Sequence, residues 1–266
     1  MNFKSRWVMI TGASAGLGRE LALQLGRDYG ANIVAVARRE DRLNALRDEL
    51  KEMGSEVLPL AAELSQVDEV DRVYEEATRR VDLYGAILNA GVTHFGDWHE
   101  LSWEAFQQML NVNVVSVVRL TNLLLPYMQK QDQGGGLLLV SSMAGLAPVP
   151  YQAAYSGTKA FLVHYGCSLF HEARGKNVSV TTFAPGGIAT DMTAGARFDS
   201  LRTWLMPVDR CAKSAIEGYR RRKYLHVPGV VYKVLAALNN VAPEPFSTGR
   251  VAAQYRASLN AAKNGQ

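Results

Sequence analysis

The stretch Trp7-Val8-Met9-Ile10-Thr11-Gly12-Ala13-Ser14-Ala15-Gly16-Leu17-Gly18 decides the fold of this 266-residue chain. Its nearly continuous apolar start predicts a buried strand over 7–11, and its glycines predict a sharp turn into a helix beginning at Leu17. Glycine lets the backbone approach a ligand closely, and free N–H groups at a helix N-terminus bind phosphate oxygens. The stretch is a candidate pyrophosphate site, although a purely structural turn would have the same composition.

The alternation of short apolar runs with helical segments continues for some 180 residues. Such alternation predicts right-handed crossovers and a parallel sheet covered on both sides, that is, a doubly wound three-layer α/β/α sandwich of the Rossmann type. The run Gly134-Gly135-Gly136 is interpreted as a turn that feeds a strand. Strands are predicted at 7–11, 32–37, 56–60, 86–89, 137–141 and 178–183, and helices at 17–29, 40–53, 67–80, 103–131 and 152–174.

The alternation weakens beyond Pro185. A loop with a short helix is predicted over 190–207, followed by a helix at 208–221 and a last strand at 224–227. In the tail 229–266, apolar residues from Val230 to Leu238 recur at helical spacing, which fits packing on the domain or contact with a membrane surface. The packing interpretation is preferred, and residues 1–266 are expected to form a single domain.

Composition narrows the class of protein. The chain has 29 basic and 25 acidic residues, 48% hydrophobic and 20% charged, which is typical of a soluble globular protein and does not favour nucleic-acid binding. The two cysteines, Cys167 and Cys211, fit neither a disulfide framework nor a zinc site, and no metal is expected. His94 and His99 are interpreted as ordinary loop residues. The start of the chain does not resemble a signal peptide, so a cytoplasmic location is expected.

The end of the second predicted strand, Val36-Ala37-Arg38-Arg39, bears on the choice of dinucleotide. An NAD site requires an acidic residue there to hold the ribose 2′-hydroxyl, whereas a 2′-phosphate requires cationic donors. Ala37 supplies no carboxylate, and the guanidinium groups of Arg38 and Arg39 suit a phosphate. NADP(H) is therefore preferred over NAD(H), unless the arginines only decorate the start of the next helix.

A second candidate group lies in the middle of the chain. Tyr155 and Lys159 are four residues apart, so a helix places them on one face. A neighbouring ammonium favours the phenolate and is expected to lower the pKa of Tyr155, which would then exchange protons with a carbonyl or alcohol. Ser142 ends the preceding predicted strand, and its hydroxyl could hydrogen-bond a substrate oxygen.

With these residues in place, the chain resembles the short-chain dehydrogenase/reductase family from about Trp7 to Val227. The resemblance implies a sheet of about seven strands, an oxidoreductase active on a small-molecule carbonyl or alcohol, and a homodimer or homotetramer built on two long helices. Five motifs carry it in order: TGxxxGxG over 11–18, Asn89-Ala90-Gly91, Ser141-Ser142, YxxxK over 155–159 and Pro185-Gly186.

The resemblance also implies roles for individual catalytic residues. Tyr155 would be the general acid in reduction and the general base in oxidation. Lys159 would lower the pKa of Tyr155 and hold the nicotinamide ribose, and Ser142 would polarise the carbonyl. Asn113 would anchor a water chain from Lys159 to solvent, with Asn111 competing for that role.

The cofactor-binding residues are also carried over from the family. Glu63 stands where an aspartate is usual, and Leu88 replaces the first asparagine of the common NNAG form, so these positions depart from the pattern. Segment 190–207 would be a lid over an apolar substrate pocket. Its predicted lining includes Phe198, Trp204, Leu205 and Met206, with Val149 and Tyr151. The expected cofactor contacts are Gly12, Ser14, Gly16, Leu17, Gly18, Arg38, Arg39, Glu63, Leu64, Asn89, Gly91, Tyr155, Lys159, Pro185, Gly186, Ile188 and Thr190.

The predicted function is NADPH-dependent, reversible reduction of a ketone or aldehyde. A first alternative is a lipid-directed ketone reductase (for a 3-oxoacyl, steroid or sphingoid-like substrate) held at a membrane by 229–241. A second is a non-catalytic NADP(H)-binding regulator. A sugar-nucleotide epimerase ranks third, because its glycine spacing usually differs.

Overall fold

The computed structural model describes residues 1–194, 197, 205–229 and 244–264. In these ranges seven strands alternate with eight helices along the chain. The strands are β1 (Trp7–Thr11), β2 (Asn32–Ala37), β3 (Val57–Ala61), β4 (Leu83–Leu88), β5 (Gly135–Val140), β6 (Val178–Phe183) and β7 (Leu225–His226). The helices are α1 (Gly16–Tyr29), α2 (Glu40–Glu52), α3 (Val67–Arg80), α4 (Trp103–Leu110), α5 (Ser116–Gln129), α6 (Ala153–Glu172), α7 (Val208–Arg220) and α8 (Glu244–Asn264).

All seven strands form one parallel sheet in the order β3-β2-β1-β4-β5-β6-β7. The strand order reverses between β1 and β4, and ligands of such sheets bind in the crevice at the carboxyl ends of the strands beside this reversal. The predicted Rossmann fold is confirmed, and its switch point lies where the glycine turn follows β1.

Helices cover both faces of the sheet. One apolar core contains residues of α1, α2 and α7, and the other contains residues of α3, α5 and α6. The stretch Trp103–Gln129 is long and apolar enough to cross a membrane by length and composition alone. Its buried residues, among them Leu120, Leu124 and Met128, pack in the second core, and this packing accounts for its hydropathy.

The structure corrects two of the sequence-based predictions. Gly135 and Gly136 lie inside β5, and only Gly134, with a φ of 63°, forms the turn. A Cβ on Gly136 would lie 2.5 Å from Ser179 Oγ, so close packing of β5 against β6 explains the glycine. The single helix predicted over 103–131 is two helices joined by a π-helical turn at Asn111–Val115.

The ends of the chain segments also differ in detail. β4 begins at Leu83, three residues before its predicted start, because Leu83 to Gly85 are buried as well. The apolar stripe predicted from Val230 to Leu238 lies outside the described residues. The tail contributes helix α8, which contacts Phe95 in the loop after β4.

Candidate active site

The glycine turn after β1 is tightly packed. Gly12 and Gly16 have positive φ angles of 73° and 53°, which a side chain would make unfavourable. A Cβ on Gly18 would lie 2.3 Å from the carbonyl oxygen of Gly12, so helix α1 approaches the turn as closely as the backbone allows. The first turn of α1, at Gly16 and Leu17, therefore presents its N–H groups beside a surface free of side chains, which fits a pyrophosphate.

The turn is tied to the end of β4. The backbone N–H groups of Asn89 and Ala90 donate to Thr11 Oγ1 at 2.9 and 3.0 Å, and Asn89 Nδ2 donates to the Thr11 carbonyl at 3.0 Å. Asn89 thus bridges the two strands at the switch point, which explains the asparagine at this position.

Two arginines border the end of β2, next to this turn. Arg39 Nη2 donates to Ser14 Oγ at 3.1 Å, and Arg38 forms an exposed ion pair with Glu63 at 3.4 Å. Glu63 also accepts the backbone N–H of Ser65, and the adjacent Leu64 is buried. The cofactor residues predicted around the adenosine therefore converge, with two cations beside one carboxylate.

Ser142, Tyr155 and Lys159 meet at the carboxyl end of β5. Ser142 begins a 3-10 turn at Met143–Gly145, where its Oγ accepts the N–H of Ala144 at 3.1 Å. Lys159 Nζ donates to the Val140 carbonyl at 3.0 Å and lies 5.8 Å from the centroid of the Tyr155 ring. The hydroxyl of Ser141 donates to the Lys159 carbonyl at 2.7 Å and so fastens α6 to this strand end.

Burial governs the protonation of this group. The pKa of Tyr155 is raised, mainly by desolvation, although a side-chain hydrogen bond with Ser142 acts in the opposite direction. Desolvation also lowers the pKa of Lys159 to about 8. The pKa of Tyr155 is therefore raised and not lowered as expected, because desolvation is the largest effect on this phenol and only the hydrogen bond with Ser142 opposes it.

The buried Lys159 should reduce the stability of the cofactor-free protein. The pKa of Lys159 is about 8 in the folded protein and 10.5 for an ordinary solvated lysine, as in the unfolded chain. Between these two pH values the unfolded chain therefore holds the extra proton. The free energy of unfolding attributable to Lys159 therefore rises as pH increases from 8 to 10.5. At pH 7 we expect Lys159→Met to be more stable than the wild type by about 3 to 3.5 kcal/mol, because a pKa lowered from 10.5 to about 8 corresponds to about 1.4 kcal/mol per pKa unit.

Urea unfolding of the wild type and of Lys159→Met across this pH range measures the difference between their free energies of unfolding. The contributions of all other titrating groups cancel in this difference. Lys213→Met serves as the control because Lys213 is an exposed lysine on α7. An equal effect of the two substitutions at pH 7, or a difference independent of pH, would contradict the assignment.

The π-helical turn resolves the choice between two asparagines. Asn113 is fully buried, and its amide donates to the Val92 carbonyl at 2.9 Å and to Thr158 Oγ1 at 3.0 Å. Asn111 instead donates to the carbonyl of Ser65. A Cβ on Gly91 would meet both Asn113 Oδ1 and Lys159 Nζ, so Asn113 is the asparagine beside the lysine.

The segment after β6 completes the carboxyl edge of the sheet. Met143 donates its N–H to the Pro185 carbonyl at 2.8 Å, which holds the segment 185–188 against the Ser142 turn. The backbone on either side of Ile188 forms hydrogen bonds with the backbone of Met206. The two ends of the predicted lid are therefore held together by backbone pairing. Thr190 lies against Gly16, near enough to contact a Cβ there. Thr190 thus lies beside the glycine turn, and Pro185 lies beside the Ser142 turn.

The predicted pocket lining is only partly described. Phe198 and Trp204 lie outside the described residues, and Met206 packs against the apolar core. Tyr151 instead forms a small cluster with Phe95, Tyr255 and Leu259. Phe95 and Tyr255 were not predicted from the sequence, because they belong to no motif and lie 160 positions apart along the chain.

The two loop histidines do not suggest a metal site. His94 Nε2 lies 3.3 Å from the Asp97 carbonyl oxygen, and His99 packs against Trp98. Across the described part of the chain, no group of three or more His, Cys, Asp or Glu side chains is placed to hold a metal ion.

Known proteins with similar sequences indicate the family to which this chain belongs. The family model for short chain dehydrogenases matches residues 6–200. An uncharacterized oxidoreductase of Myxococcus xanthus is 36% identical over 196 residues, 73% of this chain and 76% of that protein. A very-long-chain 3-oxoacyl-CoA reductase of Podospora anserina is 36% identical over 184 residues, 66% of this chain but only 53% of the relative's length.

A solved structure is similar over most of the chain. A short-chain dehydrogenase from Sphingobium yanoikuyae, determined in complex with NADPH, is 28% identical and superimposes with a TM-score of 0.80, covering 89% of this chain and 93% of its own. The fold, the ordered motifs and the match to residues 6–200 agree. The chain therefore belongs to the short-chain dehydrogenase family of oxidoreductases.

Proposed function

We propose that this protein is an NADP(H)-dependent reductase that converts an apolar ketone or aldehyde to an alcohol, reversibly. The observation that carries the proposal is the meeting of Ser142, Tyr155 and Lys159 at the end of β5, at the same edge of the sheet as the glycine-rich turn at Gly12–Gly18. A group that donates a proton next to a dinucleotide site suits carbonyl reduction.

The residues of the chain would divide the work as follows. The glycine turn and Asn89 would hold the pyrophosphate and adenosine, and the segment 185–190 would hold the nicotinamide end. The bound nicotinamide supplies the hydride. Ser142 would donate a hydrogen bond to the substrate oxygen, and Tyr155 would deliver a proton to it. The raised pKa of Tyr155 keeps that proton on the phenol at neutral pH, which favours the reduction direction.

Lys159 and Asn113 would restore the proton. Asn113 bridges the chain at Val92 and Thr158 beside Lys159, and its burial holds it in one position. Water held there would connect the ammonium to solvent. Because the pKa of Lys159 is about 8, it exchanges protons readily at neutral pH.

The preference for NADP(H) rests on Arg38 and Arg39. Replacing both arginines with alanine should weaken NADPH binding by about 10- to 100-fold, because one or two charge-assisted hydrogen bonds to the 2′-phosphate are lost. NADH binding should change by less than about twofold. Titration of cofactor fluorescence measures both constants. Arg47→Ala on α2, where Arg47 pairs with Asp48, is the control. Equal losses for NADPH and NADH would contradict the assignment.

A lipid-directed reductase is the second candidate, supported by the similarity to the Podospora anserina 3-oxoacyl-CoA reductase. The tail 230–243, which would contact the membrane, lies outside the described residues. A homodimer or homotetramer is also proposed, since Trp103, Leu110 and Phe161 expose large apolar surfaces on α4 and α6. Trp103 alone is 64% exposed.

Oxidation of NADPH by the purified protein tests these candidates. The substrates are aryl ketones, diketones, aromatic aldehydes, quinones, steroid ketones and long-chain 3-oxoacyl thioesters, with NADH in parallel. Turnover of small apolar carbonyls supports the first candidate, and turnover confined to long-chain thioesters or steroids supports the second. Binding of NADPH without turnover of any class supports a regulator.

A further inference from the structure

Helix α8 packs against the loop after β4 and against the residues just before α6. The ring of Tyr255 packs edge-on against Phe95 with centroids 5.0 Å apart. Together with Tyr151 and Leu259 they form an apolar group separate from the two cores of the sandwich, here called the tail cluster. Phe95 and Leu259 are each only 5% exposed, so the contact is a packed one.

Hydrogen bonds join α8 to three segments that border the reacting groups. Arg256 Nε donates to the Tyr151 hydroxyl at 2.7 Å, just before α6. Ser258 Oγ donates to the Arg197 carbonyl at 2.7 Å, in the lid segment. Arg197 Nη1 in turn donates to the carbonyl of Phe95, in the loop after β4. The helix thus links the loop after β4, Arg197 and a residue just before the start of α6.

Tyr151 occupies a conformation that requires support from its neighbours. Its φ of 63° is left-handed, a region that non-glycine residues rarely adopt. Gly96 donates its N–H to the Tyr151 carbonyl at 3.0 Å, and Arg256 holds its hydroxyl. Tyr151 lies four residues before Tyr155, so a contact from α8 acts close to the general acid.

Tyr255 and Tyr151 pack against the same two buried residues, Phe95 and Leu259, and Tyr151 lies four positions before the general acid. The phenol of Tyr255 contributes to the raised pKa of Tyr155, after burial. Burial raises the pKa of Tyr255 as well, so at neutral pH this phenol stays uncharged. An uncharged aromatic ring in the tail cluster suits contact with an apolar ketone.

We propose that α8 forms the outer wall of the substrate site and that Tyr255 is a specificity-determining residue, with its ring limiting the bulk of the ketone. Arg256 is a positioning residue that acts through Tyr151. The proposal rests on the reductase function proposed above and deepens it. The favoured substrates are ketones with one flat apolar arm, which the aromatic rings of the tail cluster can cover.

Kinetics with aryl alkyl ketones of increasing alkyl length, from methyl to heptyl, test the role of Tyr255. In Tyr255→Ala the ratio of kcat/KM for heptyl over methyl ketone should rise about tenfold, since removing the ring opens space. Tyr255→Phe should keep the wild-type ratio because it keeps the ring. Gln254→Ala, an exposed position on the same helix, is the control. An unchanged ratio in Tyr255→Ala overturns the role.

Hydrogen–deuterium exchange tests the wall without relying on turnover. In Arg256→Ala, amides of 93–100 and 151–156 should exchange faster than in Gln254→Ala, because α8 no longer holds Tyr151. Equal exchange in the two variants overturns the wall. If no ketone is reduced by the wild type, the proposed function and the specificity role fail together, whereas the exchange result still decides whether α8 covers the site.

Discussion

Tyr155→Phe should reduce the rate of carbonyl reduction by about 10²- to 10⁴-fold while leaving the NADPH dissociation constant within about twofold. The substitution removes one oxygen and its proton and keeps the ring that fills the site. The Tyr155 hydroxyl shares a hydrogen bond with Ser142. Loss of this hydroxyl therefore removes the proton donor without disturbing the turn at Gly12–Gly18. Steady-state oxidation of NADPH and a fluorescence titration measure the two quantities.

Tyr165→Phe on the same helix is the matched control, because Tyr165 stacks on Phe161 away from the strand ends. We expect it to retain wild-type turnover. Retention of more than a tenth of the wild-type rate in Tyr155→Phe would remove Tyr155 from the mechanism. Loss of NADPH binding in that variant would show that the phenol supports the fold or the cofactor site.

Gly18→Ala should weaken NADPH binding by about tenfold or more and lower the free energy of unfolding by about 1 to 3 kcal/mol. The added Cβ would lie 2.3 Å from the Gly12 carbonyl oxygen and 2.6 Å from Asn89 Nδ2. The nearest atom is backbone, so relief requires α1 to move away from the turn. That movement would also displace the N–H groups that would bind the pyrophosphate.

Gly157→Ala is the matched substitution at a glycine where a side chain has free space. Gly157 lies on α6, and a Cβ there would meet nothing within 4 Å. We expect it to raise the free energy of unfolding by about 0.5 to 1 kcal/mol, because alanine is the better helix former. Cofactor titration and urea unfolding of both variants give the comparison. If Gly18→Ala bound NADPH as tightly as the wild type, close packing at this turn would not govern the site.

Local pattern accounts for most of the fold that could be predicted. Strand β1 and helix α3 were predicted at their observed bounds, because continuous apolar runs and one-faced helices are properties of neighbouring residues. The glycines of β5 were misinterpreted because their requirement comes from residues distant in sequence: a Cβ on Gly135 would lie 2.7 Å from the Tyr84 carbonyl oxygen, and one on Gly136 would lie 2.5 Å from Ser179 Oγ. The break at Asn111–Val115 was missed because the sequence there is apolar and periodic on both sides.

The candidate site divides in the same way. Tyr155 and Lys159 were predictable because four residues on one helix fix their relative position, and the glycine turn because its conformations exclude most side chains. Asn113 was preferred over Asn111 on the family pattern alone, and the structure places it beside Lys159, because the two asparagines occupy different sides of a π-helical turn. The pairing of Arg39 with Ser14 and of Arg38 with Glu63 likewise depends on loops meeting.

The parallel α/β sandwich, the glycine turn and the spacing that places Tyr155 and Lys159 on one helix follow from the sequence alone, because each depends on residues close along the chain. Only the tertiary structure decided the direction of the pKa shifts of Tyr155 and Lys159, since desolvation depends on everything packed around them. It also brought Tyr255 and Arg256 to Phe95 and Tyr151. Contacts between residues more than 100 positions apart arise from the path of the whole chain, and no local pattern encodes that path.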